Sequence, residues 1–572
     1  MRYWFIPLTI CAQVACAPAS LSRNPRVLHH AFATKTITII GTNDLHGHID
    51  RLPEFAGYVN NVRKARDKDG AVLLIDAGDM FQGTLESNQV EGASVVDAYN
   101  AIGYAAAAIG NHEFDYGPIG DVDPKTAGVD LRGALKARAA QAKFPFLNAN
   151  VTESDQNIGW PNVVPSVLVK ACGISIGIIG VTSIDTPHTT AKANFVGLGI
   201  QPLLASVTDQ ARALRKRGAA VIIVSAHAGG ACKSRENPLA LESCEAHSEI
   251  FTLAAQLETG LVDVIVAGHT HQAVAHKVAG IPIIESFARG QAFGRVDLTI
   301  DAVTQKVALS RVFKPQSICK RHNNKGDRAE SDDNAIATCE TTPYEGADVV
   351  PDAAVATVVN DAVARASLKR NEPIGVHAPE TLKAGYSNES ALGNLLADLI
   401  RDTTQGADIG VMNGGGIRSH LPQGNLIYGQ LYEIMPFDNR LVTLKLPARL
   451  IKKMLLRSLK STKGIVSVSS FEASARCEGN KLEIDLRTRA GEDVKDDTVL
   501  TVVTSDYLAE DGDGMFGKLP DGAVVDDQGP VMREAVIEAV KKRGPELGPS
   551  KSYLDPKRPR LVFKGKRPVT CP

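Results

Sequence analysis

One arrangement of hydrophobic and polar positions recurs five times between residues 36 and 271. A short apolar run ends at Gly or Ser and gives way at once to polar residues: "TITIIGTNDLHG", "AVLLIDAGDMFQG", "AAAAIGNHEF", "AAVIIVSAHAGG" and "VDVIVAGHTH". An unbroken apolar run of this length predicts a strand buried on both faces. Between the runs, "ASVVDAYNAIG" and "PLLASVTDQARALRKRG" carry helical spacing. Strands alternating with helices predict a layered α/β fold. "SVLVKACGISIGIIGVTS" predicts a hairpin, and "IPIIESFARGQAFGRVDLTID" predicts edge strands that close the unit.

The pattern weakens from about 302 to 350, where "CKRHNNKGDRAESDDNAIATCETTPYEGADVVPD" reads as a polar surface excursion. "AAVATVVNDAVARASLKR" predicts a linker helix, and a second α/β unit follows with strands "ADIGVMNGGG" and "DTVLTVVTSDYLA" and helix "ARLIKKMLLRSLK". The expected division is a signal peptide at 1–19, a first domain at 36–302, an excursion and linker helix at 303–370, and a second domain at 371–565.

The N-terminus supports export. Arg2 precedes an apolar run ending near Ala17-Pro18-Ala19, a small-residue cleavage site. The expected location is secreted, periplasmic or cell-surface, with lipid attachment at Cys16 as the less favoured alternative. No later stretch reads as a membrane span. Export permits disulfides. Cys232 with Cys244, Cys319 with Cys339, and Cys477 with Cys571 are candidate pairs that leave Cys172 odd, although sequence alone does not fix connectivity. A formal net charge of −1 over 572 residues argues against a nucleic-acid polymer as partner, which would call for a basic face.

The polar runs carry the chemistry. Their ends supply Asp44, His46 and His48; Asp76, Asp79 and Gln82; Asn111, His112, Glu113 and Asp115; His227; His269 and His271. In α/β folds the carboxyl ends of strands are where ligands bind. Oxygen and nitrogen donors without thiolates suit Mn, Zn, Fe or Co. Asp44 and His46 stand two apart, as do His269 and His271, so on extended segments each pair would face one way. Two such pairs sharing a bridging carboxylate would hold two ions. His48, Asp76 and Glu113 are expected to brace ligands or face solvent, since ligating imidazoles need acceptors behind them.

The set "DLH", "GDMFQG", "GNHEFDYG", "SAHAGG" and "GHTH" resembles the calcineurin-like metallophosphoesterase superfamily. With "NGGGIR" and "PFDN" downstream, it resembles more narrowly the secreted 5′-nucleotidase / UDP-sugar hydrolase family, over roughly 36–565. The resemblance implies an N-terminal four-layer α/β/β/α metallophosphoesterase sandwich and a C-terminal α/β substrate domain. It implies two divalent metal ions, one held by Asp44, His46, Asp79 and His271, the other by Asp79, Asn111, His227 and His269. His112 would touch the phosphate, with Asp115 orienting it. The ions would activate a water as hydroxide and clamp the phosphoryl oxygens.

For the substrate, the resemblance implies Asn413, Gly415 and Arg418 of "MNGGGIR", and Phe437 with Asn439 beside it in "MPFDN". Two departures stand out. "DGDG" at 511–514 is followed by Met515, with Phe516 one place later, where the family stacks an aromatic on the base. "AGYSN" precedes "ESALGN" without the Arg common there. The expected activity is hydrolysis of nucleoside 5′-monophosphates. The alternatives are a 2′,3′-cyclic-nucleotide phosphodiesterase, a UDP-sugar diphosphatase and, in another class, a secreted binding protein without turnover.

Overall fold

The computed structural model describes residues 34–571 except 121, 123–125, 321–338 and 528; the expected signal peptide and the centre of the polar excursion lie outside the described residues. Two sheets face each other in the N-terminal unit. The seven-stranded sheet runs, in spatial order, Val307–Ser317, Ala292–Asp301, Thr34–Thr42, Gly70–Asp76, Ala106–Ala108, Phe146–Leu147 and Val163–Val164. The six-stranded sheet runs Ala273–Val278, Ile281–Ser286, Val264–Ala267, Val221–His227, Ile174–Thr182 and Ser166–Ala171.

The five apolar runs are the parallel centre of these sheets. Thr34–Thr42 pairs parallel with Gly70–Asp76, and that strand with Ala106–Ala108. Val221–His227 pairs parallel with Val264–Ala267. Their polar sequels therefore all emerge at one rim. Between the sheets lies a core of Ile37, Ile39, Leu73, Ile75, Ile176, Ile178, Ile223 and Val266. This two-sided burial is why the strands read as continuous apolar runs. Helices Leu52–Arg66 and Ala93–Ile102 cover the first sheet, and Leu203–Lys216 with Glu249–Gln256 cover the second, which completes four layers.

The predicted hairpin forms, Ser166–Ala171 against Ile174–Thr182. The predicted edge strands do not. Ile281–Ser286 lies between Ala273–Val278 and Val264–Ala267, and Ala292–Asp301 lies between Thr34–Thr42 and Val307–Ser317. The two outer strands escape a search for unbroken apolar runs. "VALSRVFKPQS" mixes half-buried and exposed positions, and "AVAHKV" is interrupted by His276 and Lys277.

The second unit centres on a five-stranded sheet ordered Val466–Val468, Ile409–Asn413, Val499–Ser505, Leu441–Pro447 and Val524–Asp526. Helices Ala391–Asp402, Ala448–Lys460 and Met532–Lys542 pack against it. Helix Ala353–Arg370 joins the units: Val355, Val359 and Ala362 enter the first core and Ala366 the second. At its end Arg370 grips Glu86 of the first unit at 2.6 and 2.9 Å and lies 2.9 Å from Glu433 of the second. Disulfides join Cys232–Cys244, Cys319–Cys339 and Cys477–Cys571. Cys172 is also disulfide-bonded, and so is not the odd thiol. No helix among the described residues is long and apolar enough to cross a membrane.

Candidate active site

The loops that leave the parallel strands are bent tightly. Asp44, His46, Asp79, His269 and His271 all have positive φ, between 50° and 79°. L-residues with a Cβ rarely adopt this conformation, and such strain gathers at functional sites. The expectation that Asp44/His46 and His269/His271 face together on extended segments is therefore corrected. The strands have already ended, and left-handed turns aim these side chains. Glycine makes the crowding tolerable: a Cβ on Gly110 would stand 2.2 Å from Asp79 Oδ1, and one on Gly78 would meet the Gly110 nitrogen at 2.7 Å.

The turns assemble two donor groups, Asp44–His46–His271 and Asp79–His227–His269, each with its ligand atoms within 4.8 Å of one another. In the first, His46 Nε2 and His271 Nε2 are 3.0 Å apart, and His271 Nε2 lies 3.4 Å from Asp44 Oδ1. In the second, His227 Nε2 is 3.2 Å from His269 Nδ1, and 3.0 Å from the side-chain oxygen of Asn111. Asp79 connects them, with Oδ2 at 3.1 Å from His227 Nε2 and 3.8 Å from His46 Nε2.

Each donor is aimed from behind. His46 Nδ1 and His227 Nδ1 each lie 2.8 Å from a backbone carbonyl, of Gln82 and Ala77. That fixes the proton on Nδ1 and turns Nε2 inward. Asn111 donates through its amide to the Thr189 carbonyl at 2.9 Å, which leaves its oxygen facing His227. Asn43 donates to Asp44 at 2.7 Å. Glu113 accepts backbone N–H groups of Asp79, Met80, Phe81 and Gly110, and Asp76 accepts from Thr42, Tyr99 and Gly78. Both are braces, as expected for residues behind the ligands.

His112 stands outside these groups. Its Nδ1 is 2.5 Å from Asp115 Oδ2, and its Nε2 is 4.0 Å from Asp79 Oδ2. Burial works against its charge, but Asp115 and Asp79 outweigh that and raise its pKa. For His227 burial is likewise outweighed by Asp79, which pushes it up to about 10, whereas burial and the neighbouring His227 push His269 down to about 3.

The second unit closes over this rim. Arg418 brings Nη2 to 3.2 Å from His46 Nε2. Phe437 places its ring 5.6 Å from that of His112, with the Arg418 guanidinium 5.8 Å from the same ring. Asn413 donates to Asp513 at 2.9 Å, and Gly415 lies beside both. Asn439 gives its backbone carbonyl to Met532 N–H at 2.7 Å, which ties the "PFDN" loop to a helix. Phe516 is not at the rim. It is 6% exposed and packs with Met515 and Leu508 in the core of its own unit, so the "DGDG" turn presents Asp513 to the site instead.

Sequence reasoning missed several contributors. Asn43 stood next to the first motif. Thr189 and Thr190 lie in a loop without a motif. Thr190 donates to Asp115 at 2.9 Å, and Glu285 accepts from Thr270 and Gly230 beneath the "GHTH" turn. Their signal is three-dimensional: Asn43 also donates to the distant Phe287 carbonyl, and the others act by meeting residues elsewhere in the chain.

Comparison with known proteins matches this architecture in two parts. The calcineurin-like phosphoesterase family matches residues 37–273, and the 5′-nucleotidase C-terminal domain family matches residues 366–519. The chain therefore joins a calcineurin-like phosphoesterase domain to a 5′-nucleotidase C-terminal domain. Endonuclease YhcR of Bacillus subtilis is 26% identical over 541 residues, which are 88% of this chain; the chain spans only 39% of that relative's length. A 5′-nucleotidase of Diplobatis ommata is 25% identical over 84% of this chain and 82% of its own. The crystal structure of a 5′-nucleotidase precursor from Thermus thermophilus shares the fold, with a TM-score of 0.72, at 24% identity, covering 93% of this chain and all of that one.

Proposed function

We propose that this chain is an exported 5′-nucleotidase that hydrolyses nucleoside 5′-monophosphates to nucleoside and phosphate. The observation that carries the reading is the pair of donor groups linked by Asp79, with His112 and Arg418 beside them. The donors fit divalent ions. Imidazole nitrogens and carboxylate oxygens converge while the opposite ring nitrogens of His46 and His227 are held by carbonyls. Asp44, His46, Asp79 and His271 would hold one ion and Asp79, Asn111, His227 and His269 the other, with Mn, Zn, Fe or Co suiting the set. Bound ions supply Lewis acidity, which acidifies water and offsets phosphoryl charge.

The protein's own groups do the rest. Arg418 binds a phosphoryl oxygen and orients the ester. As water's oxygen bonds to phosphorus, the ester P–O bond breaks. His112, protonated and steadied by Asp115, gives its Nε2 proton to the leaving 5′-oxygen. Phe437 stacks on the nucleobase, while Asn413 and Gly415 line the path to it. The working division is a phosphoesterase domain at 36–302 and a substrate domain at 371–565. The disulfides support a secreted, periplasmic or cell-surface location.

A second reading has its own observation. The "AGYSN" stretch carries no arginine, and a site short of one positive charge suits a monoanionic 2′,3′-cyclic nucleotide better than a dianionic monoester. The test is hydrolysis with Mn²⁺ of AMP, a 2′,3′-cyclic nucleotide, UDP-glucose and an aryl phosphate, read by product: phosphate from AMP and the aryl ester, the ring-opened nucleotide from the cyclic diester, and UMP with glucose 1-phosphate from UDP-glucose. Preference for AMP is the expected result. Preference for the cyclic nucleotide moves the assignment to the second reading. Binding with no hydrolysis of any of them makes the chain a binding protein.

A further inference from the structure

Arg289 lies in the loop between Ile281–Ser286 and Ala292–Asp301, outside every motif read from the sequence. Phe287, Arg289 and Gly290 all have positive φ, at 62°, 58° and 61°. Two of these are residues with a Cβ, so the loop holds a conformation that local preference opposes. It is bolted to the first donor loop. Arg289 N–H donates to the Asp44 carbonyl at 2.7 Å, and Asn43 donates to the Phe287 carbonyl at 2.6 Å. From there the Arg289 guanidinium crosses between the domains and donates to the Arg418 carbonyl. Its charge bears on His271 and on Arg418, where, after burial, it is the leading cause of a lowered pKa.

Arg289 thus brings a second positive charge to the residue that carries the Arg418 guanidinium, and two like charges drawn into one region favour an anion that accepts from both. A phosphate monoester carries two charges near neutral pH and offers three terminal oxygens. One arginine can take an oxygen from the substrate domain while the other takes its neighbour from the metal domain. We propose that Arg289 is a second phosphate-binding arginine, supplied by the metal-binding domain, which works with Arg418 and biases the site toward dianionic monoesters over monoanionic diesters. This deepens the phosphoesterase reading and rests on it. It also offers a source of positive charge for a site whose "AGYSN" stretch lacks an arginine.

The test uses the full chain loaded with Mn²⁺ and two readouts. The first is calorimetric binding of inorganic phosphate. Arg289→Gln is expected to weaken it about tenfold or more, the size of a lost charge-assisted hydrogen bond, and Arg289→Lys to recover part of the loss. The second is kcat/KM for an aryl phosphate monoester against an aryl phosphate diester, where Arg289→Gln is expected to cost the monoester more. Phosphate binding within twofold of wild type, or equal losses for monoester and diester, would overturn the proposal; equal losses would make Arg289 a strut between the domains. Arg289→Met, which keeps the apolar stem, carries the same comparison if the Gln variant does not fold. Should the wild-type chain hydrolyse neither ester, the phosphoesterase reading fails, and the phosphate titration still decides on Arg289.

Discussion

Nδ1 of His112 lies 2.5 Å from Oδ2 of Asp115, and the other oxygen of Asp115 accepts the Thr190 hydroxyl at 2.9 Å. The carboxylate thus fixes the ring in one orientation and favours its protonated form, while Nε2 faces the donor groups. His112 is not in either donor group. His112→Ala should therefore keep its metal and fold yet lose about 10²–10⁴-fold in kcat, the range of an acid–base contribution. Asp115→Asn should lose less, since the ring remains but its orientation and charge are no longer held. Metal analysis beside steady-state kinetics checks both; wild-type turnover in a metal-loaded His112→Ala protein rules out the role.

Among the described residues, Asp79 is the one carboxylate within 4 Å of His46, His227 and His112 alike. Burial opposes its charge, but His227 and His112 outweigh that and hold its pKa well below the ordinary value. An amide in its place offers one oxygen and no charge. Asp79→Asn should lower metal content by at least half and abolish detectable phosphate release, whereas loss at His271, which serves one group only, should spare the other ion. Elemental analysis of both variants after dialysis against trace metal distinguishes a shared ligand from a peripheral one.

The donors were legible because each follows a strand buried on both faces, and such strands announce themselves by unbroken apolar runs. Where the run stops, the loop begins, and the topology sends every loop to one rim. The conformation of the loops was not legible. Nothing in "DLH" or "HTH" says that Asp44, His46, His269 and His271 adopt positive φ, because contacts with distant loops impose it. Val307–Ser317 was missed because a half-exposed strand does not run apolar, and Ala273–Val278, although buried, because His276 and Lys277 break its apolar run. Phe516 was misplaced for a related reason. An aromatic after a glycine-rich turn fits a stacking platform and a core position equally well, and only packing against Leu508 and Met515 decides.

Glu113 is 1% exposed and accepts four backbone N–H groups, from Asp79, Met80, Phe81 and Gly110. It ties two strand-end loops together although it touches no candidate ligand atom. Burial and the nearby Asp79 charge raise its pKa to about 8. Glu113→Gln replaces one accepting oxygen with an NH₂ that faces donors, so buried N–H groups go unpaired. The expected cost is about 1–3 kcal/mol of stability, seen as a lower midpoint in denaturant, together with weaker metal retention. An unchanged midpoint would mean that water takes over the lost acceptor.

Phe437 lies between Arg418 and His112, 5.8 Å and 5.6 Å away by ring centre, at the mouth of the donor groups. A ring there can serve a nucleobase or simply wall off the chemistry, and the two roles separate by substrate. Stacking acts on the base, so its loss should fall on nucleotides alone. Base–aromatic stacking is worth about 1–3 kcal/mol, so Phe437→Ala should raise KM for AMP by about tenfold or more. For an aryl phosphate, whose small ring reaches less far from phosphorus, KM should change little. A wall acts on every ester, and its removal should lower kcat for AMP and aryl phosphate by the same factor. Phe437→Tyr, which keeps the ring face, should restore AMP in the first case. Measuring KM and kcat separately for both substrates in these two variants therefore decides whether the C-terminal domain reads a base or only covers the metal site.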